Sequence, residues 1–135
     1  MQEMTLPAAI ENIPKVTAWI DAQLERLDCS MKAQMQLDVA IDEVYSNIAR
    51  YAYPDQPGSA TVQMDFDEAS RQFSITFLDQ GVPFDPLRQS DPDTSLKVEE
   101  RGIGGLGIFL VKKTMDEVTY QYKDGKNILC LKKTI

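Results

Sequence analysis

The chain has 135 residues, of which 43% are hydrophobic and 26% charged, the size and composition of one globular domain. Its net charge of −7 predicts that nucleic acid is not a partner, because a polyanion would be repelled. The sequence has no long apolar run and no leader segment, which predicts that the protein does not span a membrane and is cytoplasmic. It contains no histidine, which excludes Ser-His and Cys-His nucleophile pairs and leaves general-base chemistry to a carboxylate.

Two amphipathic helices are predicted in the first part of the chain. Apolar residues recur at spacings of three or four over residues 13–27, with Asn12 as a candidate N-cap. The second helix is predicted to begin near Ser30 and to end before Pro54, with one apolar stripe along its length.

Hairpins and one more helix follow. Residues 60–66 and 73–77 alternate between apolar and polar and predict a hairpin, and the polar stretch 86–101 predicts a loop. A short helix is predicted to end near Met115, before a second hairpin of residues 118–122 and 128–131. The order α-α-β-β-loop-α-β-β predicts one α+β domain over residues 1–135, a two-layer α/β sandwich with three helices on one face of a mostly antiparallel, mixed sheet.

The second helix carries the first candidate site. Glu43 and Asn47 are one helical turn apart and therefore share a face. An amide oxygen is a suitable Mg²⁺ ligand, and a neighbouring carboxylate could orient a hydroxyl or a water. Taken alone, such a pair is more often a solvated polar face.

A second candidate lies at the end of the second predicted strand. Asp79 could accept a hydrogen bond from the exocyclic amine of adenine, and Gly81 would let the backbone approach a flat base. An ordinary Asp-x-Gly turn is the alternative.

A third candidate is the glycine-rich run that precedes the last helix. Free backbone N–H groups and the positive end of the helix dipole make such a start a phosphate site, with local flexibility as the competing explanation. Dinucleotide binding is rejected because no buried strand precedes the run. The residues of this candidate are Arg101, Gly102, Gly104, Gly105, Leu106 and Gly107.

Together these segments resemble the Bergerat-type ATPase superfamily of gyrase, heat-shock chaperone, histidine kinase and MutL proteins. LDVAIDEVYSNIARYAYP resembles the N box, LDQGVPFDP the first glycine box and RGIGGLGIFLVKKTMDEV the second, with residues 86–104 as the ATP lid. The resemblance implies the Bergerat fold, with ATP or ADP and Mg²⁺ as ligands. The chain is most similar to the branch of anti-sigma regulatory factors and serine-protein kinases, since it has no histidine to accept phosphate.

The resemblance also implies residue roles. Asn47 corresponds to the Mg²⁺-binding asparagine, Glu43 to the catalytic base and Asp79 to the adenine-binding aspartate. Arg50 corresponds to a phosphate-contacting residue and Tyr51 to an aromatic near the base. The third candidate matches the lid hinge and the phosphate-binding turn, where Arg101 could neutralise charge on the γ-phosphate. The last hairpin departs from the family pattern: many relatives place Gly-Thr there, with the threonine facing adenine, and this chain reads Asp-Gly-Lys-Asn at 124–127.

The function implied by the resemblance is that of an ATP-dependent serine/threonine-protein kinase. It would phosphorylate an anti-anti-sigma-type antagonist protein and sequester a sigma-factor-like regulator, and the family also suggests a homodimer. Two alternatives stay open: a non-catalytic, ATP-loaded partner-binding switch, and a detached sensor-histidine-kinase ATPase module that donates phosphate to another protein.

Overall fold

The computed structural model describes residues 1–88 and 105–135, with the side chains of residues 105 and 106 left out. Most of the expected lid, together with Arg101, Gly102 and Gly104, lies outside these residues. In the described part of the chain, no helix combines the length and the apolar character needed to cross a bilayer.

Eight helices and strands are found in the described ranges, 1–88 and 105–135. The strands are β1 (Gln2–Pro7), β2 (Ser59–Asp67), β3 (Gln72–Asp79), β4 (Glu117–Lys123) and β5 (Lys126–Thr134). The helices are α1 (Ile13–Arg26), α2 (Met31–Asn47) and α3 (Gly105–Thr114). A π-helical turn, Ile48–Ala52, continues α2, and single 3₁₀ turns occupy Ile10–Asn12 and Pro86–Arg88. The three predicted helices and the two predicted hairpins are confirmed.

The strands form one sheet in the order β1-β2-β3-β5-β4. Each strand pairing in the described residues is antiparallel, so the α+β sandwich is confirmed but the sheet is antiparallel rather than mixed. In β3 the side chains alternate between buried and half-buried, as expected when one face of a sheet is covered. The turn between β4 and β5 has positive φ at Asp124 and Gly125, which suits a tight two-residue hairpin connection.

The core lies between the helix-facing side of the sheet and the apolar stripes of α1 and α2. Its largest fully buried side chains come from both layers, and burying each one stabilises the fold by roughly 1.5–3 kcal/mol. They include Ile20, Leu24, Leu37, Ile41, Tyr45, Phe73, Ile75, Phe77 and Leu131.

One prediction about the first elements is wrong. The element order omitted β1, an edge strand whose structure depends on pairing with β2 rather than on its own short pattern. Asn12 does occupy the N-cap position of α1, but its side chain makes no capping hydrogen bond, and its Nδ2 donates to the carbonyl of Pro7 at 2.8 Å. Ser30 does cap α2, since its Oγ accepts from the Ala33 N–H at 3.1 Å.

Candidate functional site

Helix α2 brings Glu43 and Asn47 together as their spacing predicts. The amide Nδ2 of Asn47 donates to Oε1 of Glu43 at 3.4 Å. Because the amide nitrogen faces Glu43, the carbonyl oxygen of Asn47 is the atom left for a cation. Asn47 lines a mainly apolar pocket, and Glu43, one helical turn before it on α2, is not among the lining residues.

The carboxyl group of Glu43 is partly buried, and this environment changes its acidity. Burial is the main cause of a raised pKa of Glu43, and the nearby charge of Asp42 adds to it. The hydrogen bond from Asn47 and the charge of Arg50 oppose that rise in the pKa of Glu43. A carboxylate with a raised pKa is a stronger base than an exposed glutamate.

Glu43 also contacts the start of α3. A Cβ atom added at Gly107 would overlap the Glu43 carboxylate and fall within 2.6 Å of its Oε1. Glycine at position 107 therefore leaves the space that the carboxylate occupies. The carboxylate from α2 thus lies against Gly107, the last glycine of the glycine-rich run.

The pocket lies between the end of α2, the π-helical turn, the sheet and the loop after β3. It contains about 470 Å³ of empty space, including the part that is open to solvent. Most of the lining side chains are apolar or aromatic: Val44, Ile48, Tyr51, Ala52, Phe77, Val82, Phe84, Pro86, Ile108, Tyr120 and Leu129.

Asp79 and Asn127 are the polar groups at the sheet side of the pocket. They lie directly opposite each other in the register of β3 and β5, and only 6% and 7% of their surfaces are exposed. Oδ1 of Asp79 accepts from the Gly81 N–H and from Nδ2 of Asn127, both at 2.9 Å. Since both bonds use Oδ1, Oδ2 is the carboxylate oxygen available to a ligand.

Gly81 is required by packing. A Cβ at Gly81 would come within 2.6 Å of the carbonyl carbon of Ala52, and the neighbouring Val82 N–H donates to the Ala52 carbonyl oxygen at 2.9 Å. This contact joins the loop after β3 to the π-helical turn. Gly81 is not among the residues that line the pocket, so its direct role toward a nucleotide stays a prediction.

Two aromatic rings flank the mouth of the pocket. Tyr51 and Phe84 have ring centroids 6.3 Å apart with an interplanar angle of 37°, and the two residues are 45% and 39% exposed. Such rings could cover the faces of a purine. Arg50 is exposed and lies outside the pocket lining, on the side of Glu43, which leaves it free to contact a more distant part of a ligand.

Tyr120, Phe84 and Asn127 line the pocket, and the sequence did not predict their contribution. The residue pattern marks Tyr120 and Phe84 as ordinary hydrophobic positions of a strand and a loop. The available signal for Asn127 was its departure from the Gly-Thr pattern of many relatives. The structure places it at the pocket, hydrogen-bonded to Asp79.

The residues present fit Mg·ATP. An apolar pocket flanked by aromatic rings, with one buried carboxylate at its wall, suits a base that carries an exocyclic amine. The carbonyl oxygen of Asn47 is a neutral oxygen ligand, which Mg²⁺ accepts alongside phosphate oxygens and water.

The sequence resembles a family of nucleotide-binding domains and several named kinases. Residues 6–133 match the family described as histidine kinase-like ATPase domain. The serine/threonine-protein kinase BtrW of Bordetella bronchiseptica is 27% identical over 114 residues, which are 84% of this chain and 79% of that protein. The serine-protein kinase RsbW of Staphylococcus epidermidis is 26% identical over 139 aligned residues, with 96% of this chain and 84% of that protein covered.

A solved structure supports the fold. The histidine kinase domain from the Erythrobacter litoralis EL346 blue-light activated histidine kinase superposes with a TM-score of 0.51 at 13% identity. The alignment covers 96% of this chain but only 61% of that chain. At this identity the likeness concerns the fold alone.

Proposed function

The chain belongs to the histidine kinase-like ATPase domain family, a family of ATP-binding proteins, and on this premise we propose that it is a Mg·ATP-dependent serine/threonine-protein kinase. Its substrate is an anti-anti-sigma-type antagonist protein, and the same chain sequesters a sigma-factor-like regulator. The names of relatives such as RsbW and BtrW, both protein kinases, support this choice within the family.

One observation carries the proposal of catalysis. Glu43 is hydrogen-bonded to Asn47, lies against Gly107 and has a raised pKa because it is buried. A carboxylate on a solvated helix face would be exposed, whereas Glu43 is half-buried beside Gly107 of α3. The position beside both the expected metal ligand and the expected phosphate-binding turn suits a general base.

Nucleotide binding and chemistry depend on different residues. Asp79 accepts a hydrogen bond from the adenine amine, and Tyr51 and Phe84 cover the base. Asn47 supplies an oxygen to Mg²⁺, which neutralises charge on the phosphate oxygens when it is bound. Arg50 and Arg101 provide positive charge toward the phosphates.

Glu43 acts on the acceptor rather than on the nucleotide. Its carboxylate accepts the proton of a serine or threonine hydroxyl while the hydroxyl oxygen bonds to the γ-phosphorus and ADP leaves. Because this transition state is reached mainly by positioning and charge neutralisation, the hydrogen bond from Asn47 matters by holding the carboxylate in one place.

The test is phosphoryl transfer from labelled ATP to candidate anti-anti-sigma-type proteins. We expect an acid-stable phosphoserine or phosphothreonine on the acceptor, formed about 10²-fold or more slowly with Glu43→Gln. Acid-labile phosphate on a histidine of another protein would favour the detached sensor-kinase module instead. ATP binding without transfer to any acceptor would favour the ATP-loaded switch.

A further inference from the structure

Asn127 uses all the hydrogen-bonding capacity of its side chain on the wall of the pocket. Its Nδ2 donates to Oδ1 of Asp79 and to the carbonyl of Val82, both at 2.9 Å. Its Oδ1 accepts from the Phe84 N–H at 3.1 Å and from the hydroxyl of Tyr120. Strand β5 is thereby joined to the end of β3, to the loop after it and to β4.

The orientation of this amide is fixed by its neighbours. The backbone N–H of Phe84 can only donate, and the Val82 carbonyl oxygen can only accept. A flipped amide would place its NH₂ group against the Phe84 N–H and its oxygen against the oxygens of Val82 and Asp79, while the Tyr120 hydroxyl could serve either orientation. Nδ2 must therefore point to Asp79, and no donor or acceptor of Asn127 is left for a ligand.

We propose that Asn127 is the positioning residue for adenine recognition: it holds the Asp79 carboxylate so that Oδ2 faces the base. The inference rests on the proposed reading of adenine by Asp79. Two donors, the Gly81 N–H from the loop after β3 and Nδ2 of Asn127 from β5, meet at Oδ1 and fix the rotation of the carboxylate. A buried polar side chain held in this way needs no reorientation when a base binds. Binding therefore loses less conformational entropy.

The same hydrogen bonds separate this role from direct contact with the nucleotide. Since Asn127 has no free polar atom, it discriminates between purines only through Asp79. A threonine, which the resemblance places here in many relatives, can still donate to Asp79 and accept from the Phe84 N–H, but it cannot also reach the Val82 carbonyl. A valine has the shape of threonine without either capacity.

The experiment compares Asn127→Thr with Asn127→Val, a pair that differs by the hydroxyl group. The affinities for ATP and for purine riboside triphosphate, which lacks the exocyclic amine, are measured by calorimetry. Wild type should prefer ATP by about tenfold or more, as expected for a hydrogen bond to a charged group. Asn127→Thr should keep most of this preference, and Asn127→Val should reduce it to within about threefold, because an unfixed carboxylate loses the advantage of pre-organisation.

A purely structural role predicts a different result. If Asn127 only stabilises the loop, both nucleotides weaken by the same factor in Asn127→Val and the preference is unchanged, which overturns the inference. Leu131→Val, a change at a buried β5 residue outside the pocket lining, is the control for destabilisation and should leave the preference intact. If Asn127→Val does not fold, Asn127→Ala, which also lacks both hydrogen-bonding groups, decides: the preference should again fall to within about threefold, and an equal loss for both nucleotides rejects the role.

Measuring the same preference in Asp79→Asn, with and without Asn127→Val, separates a failure of this inference from a failure of the proposed function. With Asp79 replaced, Asn127→Val should cause no further change in the preference. A wild type that binds ATP and purine riboside triphosphate equally would contradict the reading of adenine by Asp79. A wild-type preference that Asp79→Asn abolishes and Asn127→Val preserves would reject only the role of Asn127.

Discussion

The carboxylate of Glu43 occupies the space into which a side chain at Gly107 would extend. The atoms that would meet the new Cβ are the flexible end of Glu43, so the clash can be relieved by moving the carboxylate rather than the backbone. Alanine also has the higher helix propensity, by about 0.8–1 kcal/mol in a helix interior. Gly107→Ala should therefore fold and yet displace the base.

We expect Gly107→Ala to lower phosphoryl transfer to nearly the level of Glu43→Gln, while the melting temperature stays at or above that of wild type. The double variant should be no slower than the slower single variant, because both changes act on one group. Leu110→Ala, an exposed position of α3, is the control for effects of the helix itself. Additive losses in the double variant would show that Gly107 acts independently of Glu43.

Glu43→Gln should separate chemistry from binding. Glutamine keeps the size of the side chain and can still accept from Asn47, so the affinity for Mg·ATP should change little. Removal of the base should slow transfer by about 10²-fold or more, the lower range for general-base catalysis. Equal transfer rates in the variant and an active wild type would remove Glu43 from the mechanism.

The pH profile offers a second measurement on the same residue. A base works when it is ionised, and the pKa of Glu43 is raised by burial above its ordinary value of 4.5. Wild-type activity should therefore begin to fall at a higher pH, as the solution is acidified, than it would for an exposed glutamate. The residual activity of Glu43→Gln should lack this acidic limb.

Asn47→Ala tests the metal ligand. The variant should lose the part of ATP affinity that depends on Mg²⁺, because one of the few protein oxygens for the cation disappears. Calorimetry with Mg²⁺ and with EDTA separates the two contributions, and both proteins should bind ATP similarly in EDTA. Unchanged affinity for Mg·ATP in the folded variant would contradict the assignment of Asn47.

The helices and hairpins were predictable because each one carries its own periodic pattern, and the spacing of Glu43 and Asn47 fixed their relation on α2. The pairing of Asp79 with Asn127 was not predictable in the same way. It depends on the strand order, which puts β5 beside β3, and on the register, which puts residues 48 positions apart opposite each other. Both are set by contacts between distant parts of the sequence. Strand β1 was missed for the same reason, since its pairing with β2 is also long-range.

Asp79→Asn should change which purine is preferred rather than only weaken binding. The Gly81 N–H and Nδ2 of Asn127 require an acceptor at the Oδ1 position, so the new amide should place its oxygen there and direct its NH₂ group into the pocket. The NH₂ group and the amine of adenine are both hydrogen-bond donors and cannot pair, but the NH₂ group can donate to the 6-carbonyl of inosine. ATP should weaken by roughly 1–3 kcal/mol, and ITP should bind more tightly than to wild type. Loss of both nucleotides in equal measure would argue against base reading at this position.

The last prediction concerns an acidic pair away from the pocket, between α1 and α2. Asp21 and Asp38 interact through their carboxyl groups, and Oδ1 of each is buried without a hydrogen-bond partner among the described residues. Burial, followed by the hydrogen bond and the negative charge of Asp21, raises the pKa of Asp38 from 3.8 to about 7.

The sign of the effect on stability follows from that shift. Between pH 3.8 and about 7 the folded state holds a proton on Asp38 that the unfolded chain releases, so stability falls as the pH rises through this window.

Asp38→Asn removes the titrating group and keeps a donor for Asp21. Because both side chains are partly exposed, we expect a gain of only roughly 1 kcal/mol above pH 7, or about 3–5 °C in melting temperature. The gain in stability should vanish near pH 4, where wild-type Asp38 is protonated in the folded state. The control is Glu25→Gln, a change at an exposed residue of α1, and its effect on the melting temperature should not depend on pH in this way. Melting temperatures of the three proteins from pH 4 to pH 8 test this, and a difference between Asp38→Asn and wild type that is constant across the range would show that the pair does not share a proton.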